Sequence, residues 1–580
     1  MVFSLETLRN PANLHGNDWA DLDNIGDQYI NTFFQLNKST NSAQFEKKLT
    51  ALRNELSKEN DGVKFRLIPF EHVHLAASLS DTYLTLGNLK YVYMLGGIAF
   101  LILIIGWFNY INLSTANSLK RANEVGVRKV IGATQGHLIK QFLGESLLVN
   151  LLGFALALVL VTLLQPYFNQ LLDKPLSLKT LGSTSVWIWG LAVVLLGSLA
   201  SGAYTAFALS NFNPIKTLKG HLNKTSKGAF LRKSLVVFQF SASVSLVLAT
   251  IVIYSQLRHM QTQSLGLNTQ QLLVVRGPAV VKDGTFKVRQ NTFRNELAQQ
   301  TFVKDYATSG SVPSGWYNFT TSGFTQPNSK SGDELESYSF AIIGDRFLKT
   351  YEIGLKAGRN FTAAECDVEW NDNSKVLLNE RAVQQLGFAT AEEAIRTKVK
   401  WDERYLEVIG VVKDFVMQSP FREVNAVTIA GAKMNFFNAI HVKYNPENPI
   451  KENLEKAKAI FKKYNPNYPF EYHFVDEAYN EKFESVARLS AMAQGFSFLT
   501  IFITCLGLLG LALSLTQRKT KEIGIRKVLG AGVFQLVLLM SKGFVGPVLV
   551  AIVIASPLSY WIMNRWLEEY TYKITINPMI

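Results

Sequence analysis

Two histidines near the beginning of the chain have a spacing that could bind a metal ion. His72 and His74 lie in the phrase PFEHVHLAA, and residues two apart in a β-strand point to the same face. A protein zinc site needs three or four ligands, and the sequence offers no third ligand near this pair. The pair therefore favours a structural role, and we predict no metal site.

Two glycine-containing phrases could suggest loops that bind a phosphate group. Gly358 lies in AGRNF and Gly410 in VIGVVKDF, but neither phrase has the further glycines or the helix start of a phosphate site. Turn glycines are the simpler interpretation. The motif GxxxxGKS or GxxxxGKT does not occur, so the chain cannot itself be a P-loop ATPase. We therefore expect no enzyme activity and no cofactor bound by this chain.

The strongest chemical signal is a basic phrase that occurs twice. KRANEVGVRKVIGA covers residues 120–133 and RKTKEIGIRKVLGA covers residues 518–531, an offset of 398 (518 − 120). Seven of the fourteen aligned pairs are identical, and five more exchange Lys for Arg or one branched apolar residue for another. Such agreement indicates an internal repeat.

Each copy has the spacing of a helix with an internal ion pair. Glutamate precedes arginine by four residues, the favoured order, which stabilises a helix by about 0.2–0.5 kcal/mol. One glycine leaves a side of this short helix bare for close approach by another surface, and a second glycine is expected to end the helix. The residues concerned are Glu124, Gly126, Arg128, Lys129 and Gly132 in the first copy, and Glu522, Gly524, Arg526, Lys527 and Gly530 in the second.

The repeated phrase has two interpretations. It could be a plain positively charged membrane anchor, which needs only Lys and Arg in any order. The glutamate, the two glycines and their spacing are all kept in both copies, which is more than charge alone requires. This pattern favours a docking element for another protein.

Long uncharged runs flank both copies and predict membrane-spanning helices. A bilayer core of about 30 Å needs roughly 20 apolar residues in a helix. Several runs exceed 25 residues, and some have Trp or Tyr near their ends, as membrane interfaces do. The six runs without Asp, Glu, Lys or Arg are Tyr91–Leu119, Ser146–Leu172, Thr180–Ile215, Ser234–Leu257, Leu489–Gln517 and Gly543–Asn564. The predicted fold class is an α-helical polytopic membrane protein with six spans.

Lys and Arg between the spans predict the orientation. Residues 119–140, 209–233 and 516–533 carry net charges of +4, +6 and +4, together the whole formal charge of +14. The positive-inside rule places these segments in the cytoplasm, and the remaining segments 1–90, 166–183, 258–488 and the C-terminus outside. The basic charge is thus explained by topology, and a nucleic-acid partner is not supported. Cys366 outside and Cys505 in a span are not expected to form a disulfide bond.

The polar segment 258–488 predicts a large extracytoplasmic α/β domain. SKVLLNERAVQQLGF indicates a strand and a short helix ended by Gly387, and YLEVIGVVKDF indicates a strand. KENLEKAKAIFKKY has Leu454, Ala457 and Phe461 on one helical face. EAYNEKFESVARLSAMAQ should continue as a helix into the next span, so movement of this domain could pass directly into the membrane.

The repeated phrases and their surroundings resemble a known family. NYINLSTANSLKRANEVGVRKVIGATQGHLIKQFLGESLL and LSLTQRKTKEIGIRKVLGAGVFQLVLL are similar to the cytoplasmic signature of FtsX-like, or MacB-type, ABC transporter permeases in tandem form. FNPIKTLKG at 212–220 adds to this likeness. YEIGLKAGRNF, VLLNERAVQQLG and VIGVVKDF resemble the MacB-like periplasmic core domain.

The resemblance implies a domain order. It comprises a remnant of a first core domain (1–90), a first permease unit (91–218), a cytoplasmic linker with a span (219–257), a second core domain (258–488) and a second permease unit (489–580). The family pattern has four spans in each unit. Subtracting 398 from 580 gives 182, so the second copy stops where the first begins its third span. We therefore expect the chain to be shortened at both ends.

The resemblance also implies partners and a function. A separate ABC ATPase, which would hold ATP and Mg²⁺, is expected to bind coupling helices 120–133 and 518–531 at the cytoplasmic face. Other expected partners are membrane lipid and an envelope adaptor or outer-membrane channel. The expected function is export or extraction of an antimicrobial peptide, a macrolide-like compound or a lipoprotein from the bacterial inner membrane. The alternative is a non-transporting relay that regulates an envelope enzyme or a signalling partner.

Overall fold

Five of the six uncharged runs lie entirely in long helices of the computed structural model, and the described part of the sixth, 180–215, is the helix Thr184–Ser210. The structure describes residues 5–10, 32–56, 64–75, 89–172, 175–178, 184–210, 226–277, 285–327, 336–401, 403–421, 423–431, 439–447 and 449–577. The chain divides into two units, one of Met1–Leu89 with Gln263–Lys482 and one of Lys90–Thr262 with Phe483–Ile580. We call them the mixed domain and the membrane unit.

The helices are numbered in chain order over the described residues. They are α1 (Ser42–Leu56), α2 (Phe70–Val73), α3 (Leu89–Val130), α4 (Gln135–Leu172), α5 (Thr184–Ser210), α6 (Ser226–Thr262), α7 (Phe286–Ala298), α8 (Phe347–Thr350), α9 (Glu380–Gln385), α10 (Ala391–Ala394), α11 (Ile450–Tyr464), α12 (Val475–Arg518), α13 (Thr520–Val528) and α14 (Val533–Leu567). Two 3-10 turns, Leu5–Arg9 and Trp370–Asp372, complete the set.

Five helical stretches within the described residues are long and apolar enough to cross a membrane. They are Leu89–Thr115, Gln135–Leu172, Arg232–Thr262, Val475–Gln517 and Val533–Leu567. These five agree with the predicted spans in length and composition. The remaining predicted span, 180–215, includes α5, whose apolar part Val186–Ala200 is shorter than the other five. The phrase FNPIKTLKG, 212–220, lies outside the described residues.

Hydroxyl side chains join α6 to α12 inside the membrane unit. Ser243 Oγ lies 2.8 Å from Thr504 Oγ1, and Thr250 Oγ1 lies 2.7 Å from Ser497 Oγ. Ser497 Oγ also lies within 3.1 Å of the Leu246 carbonyl oxygen and donates to it. Within a bilayer, where water is scarce, such contacts between small polar residues hold helices together.

The two repeated helices meet at matching positions of the repeat. The position of a β-carbon added to Gly507 of α12 would lie 2.2 Å from Asn109 Oδ1 of α3, so any larger residue there would require the Asn109 side chain to move. The Asn109 amide donates to the Ile503 carbonyl oxygen, one turn earlier on α12, over 3.3 Å. Residues 109 and 507 differ by 398, the offset of the repeat. One position has therefore become asparagine in one copy and glycine in the other.

A mixed sheet forms the centre of the mixed domain. Its strands are β1 (Leu272–Arg276), β2 (Val303–Ser309), β3 (Phe319–Thr321), β4 (Phe324–Thr325), β5 (Tyr338–Ile343), β6 (Leu355–Gly358), β7 (Lys375–Asn379), β8 (Lys398–Trp401), β9 (Arg404–Val412), β10 (Val427–Gly431), β11 (Ala439–Tyr444) and β12 (Tyr472–Phe474). Over the described residues the order is β12-β1-β11-β2-β5-β10-β7-β9-β8-β4, with β3 beside β5 and β6 beside β9. The pairs β5–β10 and β7–β9 are parallel, and the other pairs are antiparallel.

Apolar residues on both faces explain why the central strands are stable. Every residue of β5, β10 and β11 is buried, as expected for strands covered on both sides. On one side, α7 and α11 pack through an edge-to-face contact of Phe293 and Phe461, with ring centroids 5.5 Å apart. Each such phenylalanine, when fully buried, stabilises a fold by about 1.5–3 kcal/mol.

The structure confirms most of the predicted local elements of this domain. The strand and helix of SKVLLNERAVQQLGF are β7 and α9, and Gly387, at φ +85°, follows the helix end. The strand of YLEVIGVVKDF is β9, and the helix of KENLEKAKAIFKKY is α11 with Ala457 and Phe461 buried. The predicted continuation from EAYNEKFESVARLSAMAQ is confirmed, because α12 is unbroken from Val475 to Arg518.

The histidine pair does not lie in a strand, the geometry in which both side chains would share a face. Phe70–Val73 is a single helical turn, and His74 follows it at the end of the turn. Pro69 precedes the turn with its φ at −54°, a value that suits the start of a helix. The described residues hold no group of three or more His, Cys, Asp or Glu side chains placed to bind a metal ion.

Candidate functional site

The first copy of the basic phrase is the end of a long helix. Helix α3 continues without a break to Val130, and α4 begins at Gln135. Val125, which is buried, packs against Leu138 and Phe142 of α4. Arg128 Nη1 donates to Gln141 Oε1 over 2.8 Å. The predicted short helix is therefore a continuation of the span that is fastened to the next helix.

The second copy is a separate short helix. Helix α12 ends at Arg518, Lys519 interrupts it, and α13 runs over Thr520–Val528. The Thr520 hydroxyl donates to the Thr516 carbonyl oxygen over 3.0 Å, a bond of the kind that competes with helix geometry and bends helices. The first copy has Ala122 at the matching position, which cannot make this bond.

The predicted ion pair is present in the second copy. Arg526 Nη2 lies 2.8 Å from Glu522 Oε1, and Lys519 Nζ lies 3.6 Å from Glu522 Oε2. All three side chains are partly exposed, so the pair contributes only tenths of a kcal/mol to the helix. The side chain of Glu124 and the surroundings of Gly126 are outside the described part of the chain, so the first copy's pair stays a prediction.

Glycine ends both helices, as predicted. Gly132 has φ +104° and Gly530 has φ +90°, in the left-handed region that favours glycine. The Ala133 N–H bonds to the Arg128 carbonyl and the Ala531 N–H to the Arg526 carbonyl, each over 2.9 Å. Together with the bond from each glycine N–H to the carbonyl three residues earlier, this is the Schellman motif. The two copies therefore turn the chain in the same way.

Exposed apolar residues lie beside the basic ones in both copies. We call these residues and their Lys and Arg neighbours the basic–apolar surfaces. The exposed fraction is 67% for Val130 and 89% for its counterpart Val528. The remaining members are Val127, Ile131, Ile525 and Leu529, and all of them are exposed. Exposed apolar patches of this kind mark sites that interact with a protein or with the membrane. Sequence reasoning did not single out these apolar residues, although their repetition is visible in the two phrases.

Space beside the second surface is open at Gly524. A β-carbon added there would meet nothing within 4 Å. Helix α13 also has no buried residue. Another surface can therefore approach the backbone of α13 closely at Gly524, as the sequence predicted.

The three phrases of the mixed domain that resemble the family come together in space. Asn379 Nδ2 donates to Asp414 Oδ1 over 2.8 Å, which links VLLNERAVQQLG to VIGVVKDF. The fully buried Asn379 side chain also caps α9 by accepting from the Ala382 N–H over 2.9 Å. Gly358 of YEIGLKAGRNF lies opposite Gly410 in the β6–β9 pair. These phrases thus form one structural junction.

The interpretation of Gly410 as a turn glycine is wrong. Gly410 lies within β9, where the register with β7 shifts, and an added β-carbon would lie 2.4 Å from the Arg359 carbonyl oxygen. Glycine is needed here because another strand passes close by. Gly358 fits the prediction, with φ +75°.

A buried Ser–His–Tyr arrangement lies in the mixed domain. His441 Nε2 is 2.7 Å from Ser309 Oγ, and His441 Nδ1 is 2.6 Å from Tyr351 Oη. The exposed fractions are 3%, 0% and 0% for Ser309, His441 and Tyr351. Burial lowers the pKa of His441 to about 3, so its imidazole is neutral. A substrate cannot reach these atoms, and the network therefore stabilises the core by satisfying buried polar groups.

The stability of the mixed domain is expected to fall in mild acid because of His441. Its folded pKa of about 3 lies below the ordinary 6.5, so the unfolded chain binds the extra proton between those values. The free energy of unfolding should therefore decrease by about 2 kcal/mol from pH 7 to pH 5. Hydrogen exchange of β2 and β11 in the full chain measures this loss. In His441→Gln the slope should be smaller by about that amount, and an unchanged slope would refute the assignment.

Comparison with known proteins shows that two segments of the chain are similar to one protein family. The model of the FtsX-like permease C-terminal region matches residues 96–214 and 495–580. The two matches include the two basic–apolar surfaces, 127–131 and 525–529. Both copies of the repeat therefore lie in regions that are similar to this family's model.

Several relatives are macrolide export ATP-binding/permease proteins MacB. The chain is 29% identical over 150 residues to that of Bdellovibrio bacteriovorus, covering 26% of this chain and 22% of the relative. It is 26% identical over 197 residues to that of Psychrobacter cryohalolentis, covering 33% and 28%. The chain thus spans less than a third of the length of these relatives. The periplasmic region of MacB from Actinobacillus actinomycetemcomitans is 15% identical, with a TM-score of 0.27, over 38% of this chain and 96% of that one.

Proposed function

We propose that this chain is the permease subunit of an ABC transporter, because residues 96–214 and 495–580 match the model of the FtsX-like permease C-terminal region. It is a multi-pass protein of the bacterial inner membrane with its mixed domain outside. A separate ATPase would hydrolyse ATP at the cytoplasmic face. The permease would turn that cycle into movement of the mixed domain.

The pair of basic–apolar surfaces carries this proposal. Each has exposed Val or Ile beside Arg and Lys, on a helix that ends in the same Schellman turn. A dimeric ATPase would present the same pocket twice, and two copies of one surface fit that symmetry. ATP and Mg²⁺ would both be held by the ATPase.

Helix α12 offers a path for the movement. It is continuous over 44 residues, and its first turns belong to the mixed domain while the rest belongs to the membrane unit. A continuous helix resists bending, so displacement at one end is transmitted along its axis.

We propose that the movement exports or extracts a substrate. The candidates are an antimicrobial peptide, a macrolide-like compound or a lipoprotein, and the envelope partner would be an adaptor or an outer-membrane channel.

A non-transporting relay is the second candidate. The same continuous helix would serve a relay equally well, because a signal also needs a rigid path across the membrane. The envelope partner distinguishes the two. Capture of an adaptor or outer-membrane channel supports transport, and capture of a cell-wall hydrolase or a sensor kinase supports the relay.

The test is co-purification of an ATPase with the full chain. Expressed with an ABC ATPase from the same genome, the chain should retain it in detergent and raise its hydrolysis rate after reconstitution in lipid. An ATPase with its P-loop lysine replaced should still bind but not hydrolyse. If no ABC ATPase of the genome is retained, with or without ATP, the proposal is wrong.

A further inference from the structure

The mixed domain has a large open cavity beside the edge strand β12. Its volume is about 1200 Å³. Small-molecule sites usually measure about 300–1,000 Å³, so this cavity suits a longer ligand. All of its lining residues belong to the mixed domain. The residues that line the cavity lie outside the two segments that match the permease family model, 96–214 and 495–580.

The cavity follows the open edge of β12. Five successive residues, 470–474, line it. Side chains in a strand alternate between the two faces, so a space that touches all five reaches the edge of the strand. The lining residues Arg276 and Trp316 show that the same space also extends over the neighbouring part of the sheet. Strand β12 is also the last strand on its side of the sheet among the described residues. The cavity is therefore a groove beside an edge that another strand could join.

The backbone of β12 is oriented for strand addition. The Arg276 N–H donates to the Glu471 carbonyl oxygen over 3.0 Å, which makes this a hydrogen-bonded pair of the β1–β12 ladder. In an antiparallel ladder such pairs alternate with pairs whose backbone groups point outward. The N–H and carbonyl of Tyr472, opposite Val275, therefore point away from β1 and toward the groove.

Aromatic side chains form one part of the groove wall. Phe470 and Tyr472 have ring centroids 5.3 Å apart, and Tyr472 and Phe474 have theirs 6.2 Å apart, so the three rings form a row. Trp316 lines the groove as well, with the Arg276 guanidinium 4.8 Å from its ring centroid. These rings can pack against the apolar side chains of an extended segment.

Three carboxylates and two cations, Arg276 and Lys482, line the groove, so acidic side chains outnumber basic ones by one. Glu477, Ala478, Glu481 and Lys482 line it from the first turns of α12, with the spacing of one helical face. Glu471 adds a third carboxylate. Among the described residues, no side chain makes an ion pair or hydrogen bond with these three carboxylates. Burial, and then Arg276, lower the pKa of His473 to about 4, so this imidazole adds no positive charge at neutral pH.

We propose that this groove binds an extended, basic peptide segment that joins the sheet as a strand beside β12. The backbone edge of β12 gives the hydrogen bonds, the aromatic row takes alternate apolar side chains, and the carboxylates take lysine or arginine. This site requires no ATPase, so its test is independent of the proposed function.

The probe is a ten-residue peptide of alternating lysine and valine, titrated calorimetrically onto the full chain in nanodiscs of zwitterionic lipid. Empty nanodiscs give the background. We expect binding that weakens as salt rises, because charge pairs at an open groove are screened. A glutamate–valine peptide should bind at least tenfold more weakly, and so should the lysine–valine peptide with every second amide N-methylated.

Two double variants complete the test. Glu477→Gln with Glu481→Gln should weaken binding of the lysine–valine peptide roughly tenfold, since two charge contacts are lost. Glu392→Gln with Glu403→Gln removes two exposed carboxylates outside the groove and should leave the affinity unchanged. Absence of binding, equal binding of the N-methylated peptide, or an unaltered affinity of the groove variant would each overturn the proposal. If the chain binds the peptide but retains no ATPase, the peptide site is supported and only the proposed coupling to an ATPase is refuted.

Discussion

Replacing Val528 by glutamate is expected to abolish binding of the ATPase that we propose docks on the basic–apolar surfaces. Val528 is the most exposed member of the basic–apolar surfaces, at 89%, so the change costs the fold little. In a docked complex the new carboxylate would be buried without a partner. Replacing a hot-spot residue near the centre of an interface weakens the binding free energy by about 2 kcal/mol or more, which is about thirtyfold in affinity. Co-purification of the ATPase and its stimulated hydrolysis are the measurements.

Val288→Glu is the matched control for that change. Val288 is also an exposed valine, at 68%, but it lies in the mixed domain. This variant should retain the ATPase at the parental level. If Val528→Glu also retains the ATPase fully, the basic–apolar surface is only a charged membrane anchor.

Two further changes probe the same surface without altering its charge. Gly524→Trp fills the open space beside α13 and should block close approach, while nothing within 4 Å is there to clash in the free chain. The double variant Glu522→Arg with Arg526→Glu keeps an ion pair between the same two positions, now in reversed order. Each position then presents the opposite charge to the docked ATPase surface. Both variants should lose ATPase binding and still insert in the membrane.

Gly358→Ala should strongly destabilise the mixed domain. Its φ of +75° costs a residue with a side chain about 1–2 kcal/mol. The new β-carbon would also lie 2.4 Å from the Ile409 carbonyl oxygen and 2.7 Å from the Gly410 α-carbon. Backbone atoms cannot rotate away, so β6 and β9 must separate locally. We expect a total loss of about 4 kcal/mol, since a clash that strands must relieve adds to the strain.

Gly323→Ala separates strain from clash. Gly323 has φ +87°, but an added β-carbon there would meet nothing within 4 Å. This control should therefore lose only the strain of about 1–2 kcal/mol. Hydrogen exchange of β9 and thermal unfolding of the full chain measure both variants. Equal losses would show that the close approach at Gly358 is unimportant.

Local patterns were sufficient to predict the local elements. Apolar runs without charge predicted the long helices, and the glycine that follows an amphipathic stretch predicted the helix ends at Gly132, Gly530 and Gly387. These features depend on neighbours within one or two helical turns. The histidine pair shows the limit, because a single helical turn after Pro69 is too short for a periodic pattern.

Contacts between distant residues could not be read from the chain. Ser309 and His441 are 132 residues apart, and Asn379 and Asp414 are 35 apart, yet each pair shares a hydrogen bond. Their pairing depends on strand order, which local periodicity does not specify. The groove beside β12 has the same origin, since Trp316 and the start of α12 meet there only after the sheet has formed.

The contact of Asn109 with Gly507 bears on why both copies of the unit lie in one polypeptide. In an assembly of two identical subunits, a residue on the twofold axis faces its own copy, so a large polar side chain there must face an equal one. Fusion removes that restriction. The first copy could then have an asparagine, Asn109, while the second copy has a glycine, Gly507, that leaves room for the asparagine amide. The two halves have thereby become complementary parts that are no longer interchangeable.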